Sequence, residues 1–139
     1  MMTPNNAPRP SRRQPKVVLA RETLDKLEAL AEGALNRTPE LADRLLEEIE
    51  RAKVVTTRKL RGDVVAIGRS VTYRDESTGQ TKTVTLTFPE EADISEGRIS
   101  LMTPVGVALI GLSEGASFRW KPLDGEERSL TVLNVGPDA

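Results

Sequence analysis

Arg98-Ile-Ser-Leu-Met-Thr-Pro-Val-Gly-Val-Ala-Leu-Ile-Gly-Leu-Ser-Glu-Gly-Ala-Ser-Phe-Arg-Trp120 is the stretch whose reading decides the fold. A short strand runs into Thr103-Pro104, a small-residue helical turn follows, and Gly111 closes it before a second strand. Thr103 suits a helix N-cap, Pro104 suits the first helical position where no backbone donor is needed, and Gly111 can end the turn in a left-handed conformation. The stretch predicts strand, one compact helix, strand.

Upstream of it the apolar residues alternate with period two. Val71 and Tyr73 alternate with Ser70, Thr72 and Arg74, and Val84, Leu86 and Phe88 with Thr83, Thr85 and Thr87, which predicts two half-buried strands joined by the loop Asp75 to Gly79. A loop through Pro89 to Gly97 carries Glu90, Glu91, Asp93 and Glu96. Downstream, Phe118 and Trp120 alternate with Ser117, Arg119 and Lys121, and Asp124-Gly125 turns the chain into a last strand, Arg128 to Val135. About five antiparallel strands around one short helix make an α+β domain with a small twisted sheet.

Further toward the N-terminus the period changes. Leu24, Leu27, Leu30, Ala31, Ala34 and Leu35 recur at threes and fours between Leu19 and Leu35, and Leu41, Ala42, Leu45, Leu46 and Ile49 do so between Glu40 and Lys53. Asn36 between them suits a left-handed helix end, Thr38 an N-cap and Pro39 the first helical position. The pattern predicts a short antiparallel helical hairpin, coiled-coil-like, with arms of about 20 to 25 Å at about 1.5 Å rise per residue. Glu47, Glu48, Glu50 and Arg51 read as its solvent face, and Val54 to Val65 as a connector. Residues 1–16, with Pro4, Pro8, Pro10, Pro15 and Arg9, Arg12, Arg13 and Lys16, read as a disordered basic tail. The domain organisation is therefore a tail over 1–16, a helical hairpin over 17–53 and a sheet domain over 54–136.

Composition narrows the function. The 139 residues hold 21 acidic against 20 basic side chains, so no global field points to nucleic acid as a direct partner. The chain has no cysteine and no histidine, which removes disulfides, thiolate nucleophiles and the commonest general base and metal ligands. No apolar run is long enough to span a bilayer, and the first ten residues lack a secretory apolar core. The expectation is a cytoplasmic protein that is not an enzyme.

The order strand, Met102-Thr103-Pro104-Val105-Gly106, Ala108-Leu109, Gly111-Leu112, together with Val64-Val65, resembles the C-terminal half of the Gre transcript-cleavage factors, where Thr103 stands in place of a serine. With the helical pair ahead of it, the chain from about Val17 to Val135 is more similar still to the Gre-related, Rnk-type regulators of nucleoside diphosphate kinase. The resemblance implies an FKBP-like sheet domain behind the hairpin. It also implies RNA polymerase as partner, bound at the rim of the secondary channel, with nucleic acid met only through the polymerase. No cofactor, metal, membrane or small-molecule substrate is implied.

Two sites follow from the resemblance. Met102, Thr103 and Pro104 align with the segment by which Gre-type domains grip the channel rim, although the family's polar residue is Met102 here. At the hairpin tip, Arg37, Glu40 and Asp43 occupy the place of the family's Asp-x-x-Glu pair, with the order of the acids swapped. A carboxylate pair in that place can add oxygen ligands to a cation and orient water. Short arms and the nearby Arg37 weigh against this, and acids in a first helical turn are favoured by the helix dipole alone. Polymerase binding in competition with Gre factors, without efficient cleavage stimulation and with no catalytic residue, is the expectation. Its alternatives are cleavage stimulation through Glu40 and Asp43, or direct binding to the kinase. Prolyl isomerase activity, which an FKBP-like fold brings to mind, finds only Tyr73, Phe88, Phe118 and Trp120, most of which read as core.

Overall fold

The computed structural model describes residues 14–122 and 125–138. The chain runs β1 (Val18–Ala20), α1 (Arg21–Ala34), α2 (Pro39–Arg51), β2 (Lys53–Val55), β3 (Arg69–Asp75), β4 (Gln80–Thr87), β5 (Arg98–Ser100), α3 (Pro104–Leu109), β6 (Ser117–Trp120) and β7 (Arg128–Asp138). The fold is α+β, as the residue periods predict. Residues 1–13 and Asp124 lie outside the described residues, so the expected basic tail, apart from its last three residues, and the Asp124-Gly125 turn are not described.

Leu27, Ala31 and Ala34 are the buried face of α1, and Ala42 and Leu45 face them from α2. The helices pack together across the turn Leu35–Thr38. That turn is closed by the Arg37 and Thr38 N–H groups, which donate to the Ala34 carbonyl at 3.1 and 2.8 Å. Asn36 is not left-handed, because every positive φ among the described residues belongs to a glycine. Two amides converging on one carbonyl close the turn without such a residue. Pro39 does take the first helical position, whereas the Thr38 hydroxyl points back to the Ala34 carbonyl and caps nothing. Glu48 also departs from expectation: at 3% exposure it is buried. It follows Leu45 by three residues and so shares the apolar face.

The expected connector begins as a strand. β2 pairs in parallel with β1, Val18 opposite Lys53 and Ala20 opposite Val55, forming a two-stranded sheet at the base of the hairpin. In the main sheet the order is β5-β4-β3-β7-β6. Its β3–β4 hairpin turns through Asp75 to Gly79 as the alternation predicts, but β5 runs parallel to β4, so the sheet is mixed rather than wholly antiparallel.

Beneath this sheet, α3 buries Val107, Ala108 and Leu109 against Val71, Leu86, Phe118 and Leu130. The Thr103 side chain accepts from the Gly106 N–H at 3.0 Å, and Pro104 begins the helix. Gly111 has φ +80°, a conformation that costs little only for glycine. Its N–H donates to the Val65 carbonyl at 2.9 Å, and its carbonyl accepts from the Val18 N–H at 3.0 Å. One left-handed residue thereby ties the small sheet, the connector and α3 into a single core.

Candidate functional site

Around α3 the chain is held by its own polar groups. The Thr103 hydroxyl donates to the Ser100 carbonyl at 2.8 Å while capping Gly106, and the Met102 N–H donates to the Ser100 hydroxyl at 3.0 Å. Met102 is half-buried and packs on the main core, whereas Pro104 is exposed. The segment Met102–Pro104 is thus a rigid edge with a proline at its crest.

At the hairpin tip Arg37, Glu40 and Asp43 are all exposed. Glu40 and Asp43 lie one turn apart near the start of α2. The surroundings then separate them. Glu40, Leu41 and Arg44 form one wall of a largely apolar cleft of about 510 Å³, and Thr103, Pro104 and Val105 form another. Tyr73, Ile99 and Trp120 also line it, together with Arg128, and Ile94, 86% exposed, stands at its margin. The structure therefore brings Glu40 together with Thr103 and Pro104, while Arg37, Asp43 and Met102 are not part of the lining.

Arg44 joins the two walls. Its Nη2 donates to the Pro104 carbonyl at 3.1 Å, and its guanidinium carbon lies 5.0 Å from the centre of the Trp120 ring and 5.6 Å from that of Phe118. These are cation–π distances. Burial pulls the Arg44 pKa below its ordinary value, against the opposing fields of Glu48, Glu40 and Glu47. Four residues further along α2, burial raises the Glu48 carboxyl above its ordinary value, opposed chiefly by Arg51, whose Nη2 lies 2.8 Å away. Arg51 also donates to the Pro15 carbonyl, and Gln14 Nε2 to the Arg119 carbonyl at 3.1 Å, so the incoming chain is pinned between α2 and β6.

Among the described residues, no group of three or more acidic side chains is gathered closely enough to hold a metal ion. Nor is any helix among them long and apolar enough to cross a membrane. The cleft's chemistry is that of a binding surface: an apolar floor, a half-buried cation in one wall and carbonyl and hydroxyl groups at the rim. Sequence reading passed over Arg44, Arg128 and Ile94. Arg44 had one available signal: it lies three residues after Leu41 and one before Leu45, at the border of the apolar stripe.

Comparison with known proteins covers nearly the whole chain. The family described as transcription elongation factor, GreA/GreB, C-term, matches residues 60–137, and that described as Rnk N-terminus matches residues 15–55. The chain is 30% identical over 122 residues to the regulator of nucleoside diphosphate kinase of Escherichia coli strain K12, covering 88% of this chain and 90% of that protein. It is 38% identical over 108 residues to transcription elongation factor GreA of Brucella anthropi, covering 78% of this chain but 64% of that longer protein. A solved transcription elongation factor GreA/GreB from Nitrosomonas europaea superposes with a TM-score of 0.68 at 31% identity, covering 89% of this chain and all of that one.

Proposed function

The chain belongs to the GreA/GreB transcription elongation factor family, with the Rnk N-terminus ahead of the shared C-terminal region, and on that premise we propose that it is a regulator of transcription elongation that binds RNA polymerase. In this reading residues 54–136 form the FKBP-like docking domain. It seats Thr103 and Pro104 on the rim of the secondary channel, and the hairpin of residues 17–53 points inward. The protein acts by occupancy, competing with Gre-type factors for the channel, and effects on nucleoside diphosphate kinase follow through transcription.

The observation that carries this reading is the shared cleft: Glu40 of the hairpin and Thr103-Pro104 of the domain lie on one continuous surface. Hairpin and domain can therefore meet a partner together. The same observation weighs against cleavage stimulation. With 14 and 13 residues in the two helices, the arms extend only about 20 Å. Glu40 sits beside the Arg44 cation, and Asp43 is left as a single carboxylate. A metal-assisted step depends on placement to within about 1 Å.

Binding of fluorescently labelled protein to core RNA polymerase, with and without an excess of unlabelled Gre factor, tests the proposal. Displacement by the Gre factor is expected, together with weaker binding by Pro104→Asp, a change at an exposed first helical position where an acidic residue suits the helix dipole, with its fold checked by a thermal melt. Absence of binding refutes the occupancy reading. The second reading, direct binding to nucleoside diphosphate kinase, is favoured by the similarity to the Escherichia coli regulator, and co-purification of the kinase without polymerase would establish it.

A further inference from the structure

Each arm of the hairpin makes directional contacts with the sheet domain. Near the base of α1, Glu22 accepts from the Thr57 N–H and hydroxyl at 2.8 and 2.9 Å, which leaves the tip to be placed by contacts further along the arms. On α1, Lys26 pairs with Glu90 and lies 4.1 Å from the centre of the Phe88 ring. That pair is exposed, and exposed pairs are screened and easily exchanged for water. On α2, Arg44 lies between the Phe118 and Trp120 rings and the Pro104 carbonyl. Its Nε is buried and makes no hydrogen bond.

A buried donor without a partner lowers stability, and Arg44 is half-buried, so the unpartnered Nε and the partial loss of water at the guanidinium offset what its contacts contribute. Stability alone does not therefore call for arginine at this position. What an apolar side chain cannot supply is direction. Apolar contacts between a short hairpin and a sheet are non-directional, whereas a guanidinium donating to one carbonyl beside two rings admits one arrangement. Glu40 lies one turn before Arg44, so the angle fixed here also sets where the hairpin tip stands relative to Thr103 and Pro104.

We propose that Arg44 is a positioning residue. Its bond to the Pro104 carbonyl and its packing beside Trp120 and Phe118 hold the hairpin at a fixed angle to α3, so that the tip and the Thr103-Pro104 edge meet a partner as one preformed surface. The inference rests on the polymerase-binding reading above and assigns that reading a determinant of affinity. If release of Arg44 leaves the binding-competent angle populated about one tenth of the time, the apparent Kd rises about tenfold.

The test uses the full chain. It contains no cysteine, so Asn36→Cys in the turn and Lys82→Cys on the exposed part of β4 offer two unique labelling sites for spin-label distance measurement. In that background Arg44→Met is expected to melt close to the parent temperature, to broaden the distance distribution, and to bind core polymerase about tenfold more weakly. A stability role alone would leave the distribution unchanged, so an unbroadened distribution in folded Arg44→Met overturns the proposal whatever the affinity. Should that variant fail to fold, Arg44→Lys carries the same comparison. It keeps the charge but not the planar fork, and a distribution as narrow as the parent's overturns the proposal equally. A parent protein that does not bind polymerase removes the functional reading, and the distances then judge positioning by itself.

Discussion

Gly106→Ala tests the close approach on which the decisive stretch of sequence depends. A Cβ built on Gly106 would lie 2.4 Å from the Ser100 carbonyl oxygen, 2.6 Å from that of Leu101 and 2.8 Å from the Leu101 Cα. Ordinary contact begins near 3.4 Å, so α3 and the end of β5 must separate by about 1 Å. Neither is free to move, since Thr103 bonds to both Ser100 and Gly106 and the helix buries Val107, Ala108 and Leu109. Overpacking against backbone costs about 3 kcal/mol, from which alanine's helix propensity recovers about 1 kcal/mol. The net loss of about 2 kcal/mol corresponds to a fall in Tm of roughly 8 °C for a chain of this size. Gly33, exposed in α1, supplies the control, because a methyl group added there would have nothing within 4 Å. At that position alanine stabilises the helix by about 0.5 to 1 kcal/mol and raises Tm by a few degrees. Thermal melts and urea titrations of both variants decide the matter. A Gly106→Ala protein within about 1 kcal/mol of wild type, or shifts of the same sign at both glycines, refutes the reasoning.

Thr103→Ala removes the cap of α3 and leaves the Gly106 N–H unpaired, which is expected to cost about 1 kcal/mol; urea midpoints should show the loss, and Thr103→Ser should recover most of it. The raised pKa of Glu48 gives a pH signature. A carboxyl bound to its proton more tightly in the fold than in the unfolded chain lowers stability above its folded pKa, and that penalty is relieved as pH falls through the folded pKa toward the ordinary 4.5. Glu48→Gln, which can still accept from Arg51, should therefore gain most over wild type at neutral pH, and melts across the acid range should show the gain shrinking; growth of the gain on acidification would contradict the assignment. Replacing both Glu40 and Asp43 by alanine is expected to leave transcript cleavage in backtracked polymerase complexes unchanged, and a loss of cleavage on that change would restore the tip carboxylates as a working pair.

Features made by neighbours in sequence were legible, and features made by distant pairing were not. The Thr103 cap, the Pro104 start and the left-handed Gly111 are local and stand as read. So do both helices and the β3–β4 hairpin. The parallel pairing of β1 with β2 joins three-residue strands separated by the whole hairpin, and three residues are too few to establish a period. The direction of β5 beside β4 is equally invisible, because alternation is the same in parallel and antiparallel strands. At the site, Thr103, Pro104 and Glu40 were singled out as members of two separate places, and only the tertiary contact of α2 with α3 makes them one cleft. Charged residue type misled at Glu48. Its place seven residues after Leu41 and three after Leu45 put it on the apolar face, and position on the helix, not charge, decided its burial.

The shortness of the hairpin links these features. Helices of this length are marginal alone in water, so the hairpin must lie against the sheet domain to be stable. Lying there, it turns the first part of α2 toward α3. That contact places Glu40, exposed at the tip, in the cleft wall beside the Arg44 cation and apart from Asp43, which lies outside the lining. A longer hairpin could separate its tip from the domain and keep chemistry and docking apart. Here one surface contains the first turn of α2 and the Thr103-Pro104 edge, so in the proposed reading the same short arms that argue against cleavage chemistry also argue for binding as a single unit. Changes at Arg44 and at Pro104 should then be non-additive in polymerase affinity, since one alters the placing and the other the crest of a single continuous surface. Additive losses in the double variant would show that hairpin and domain bind independently.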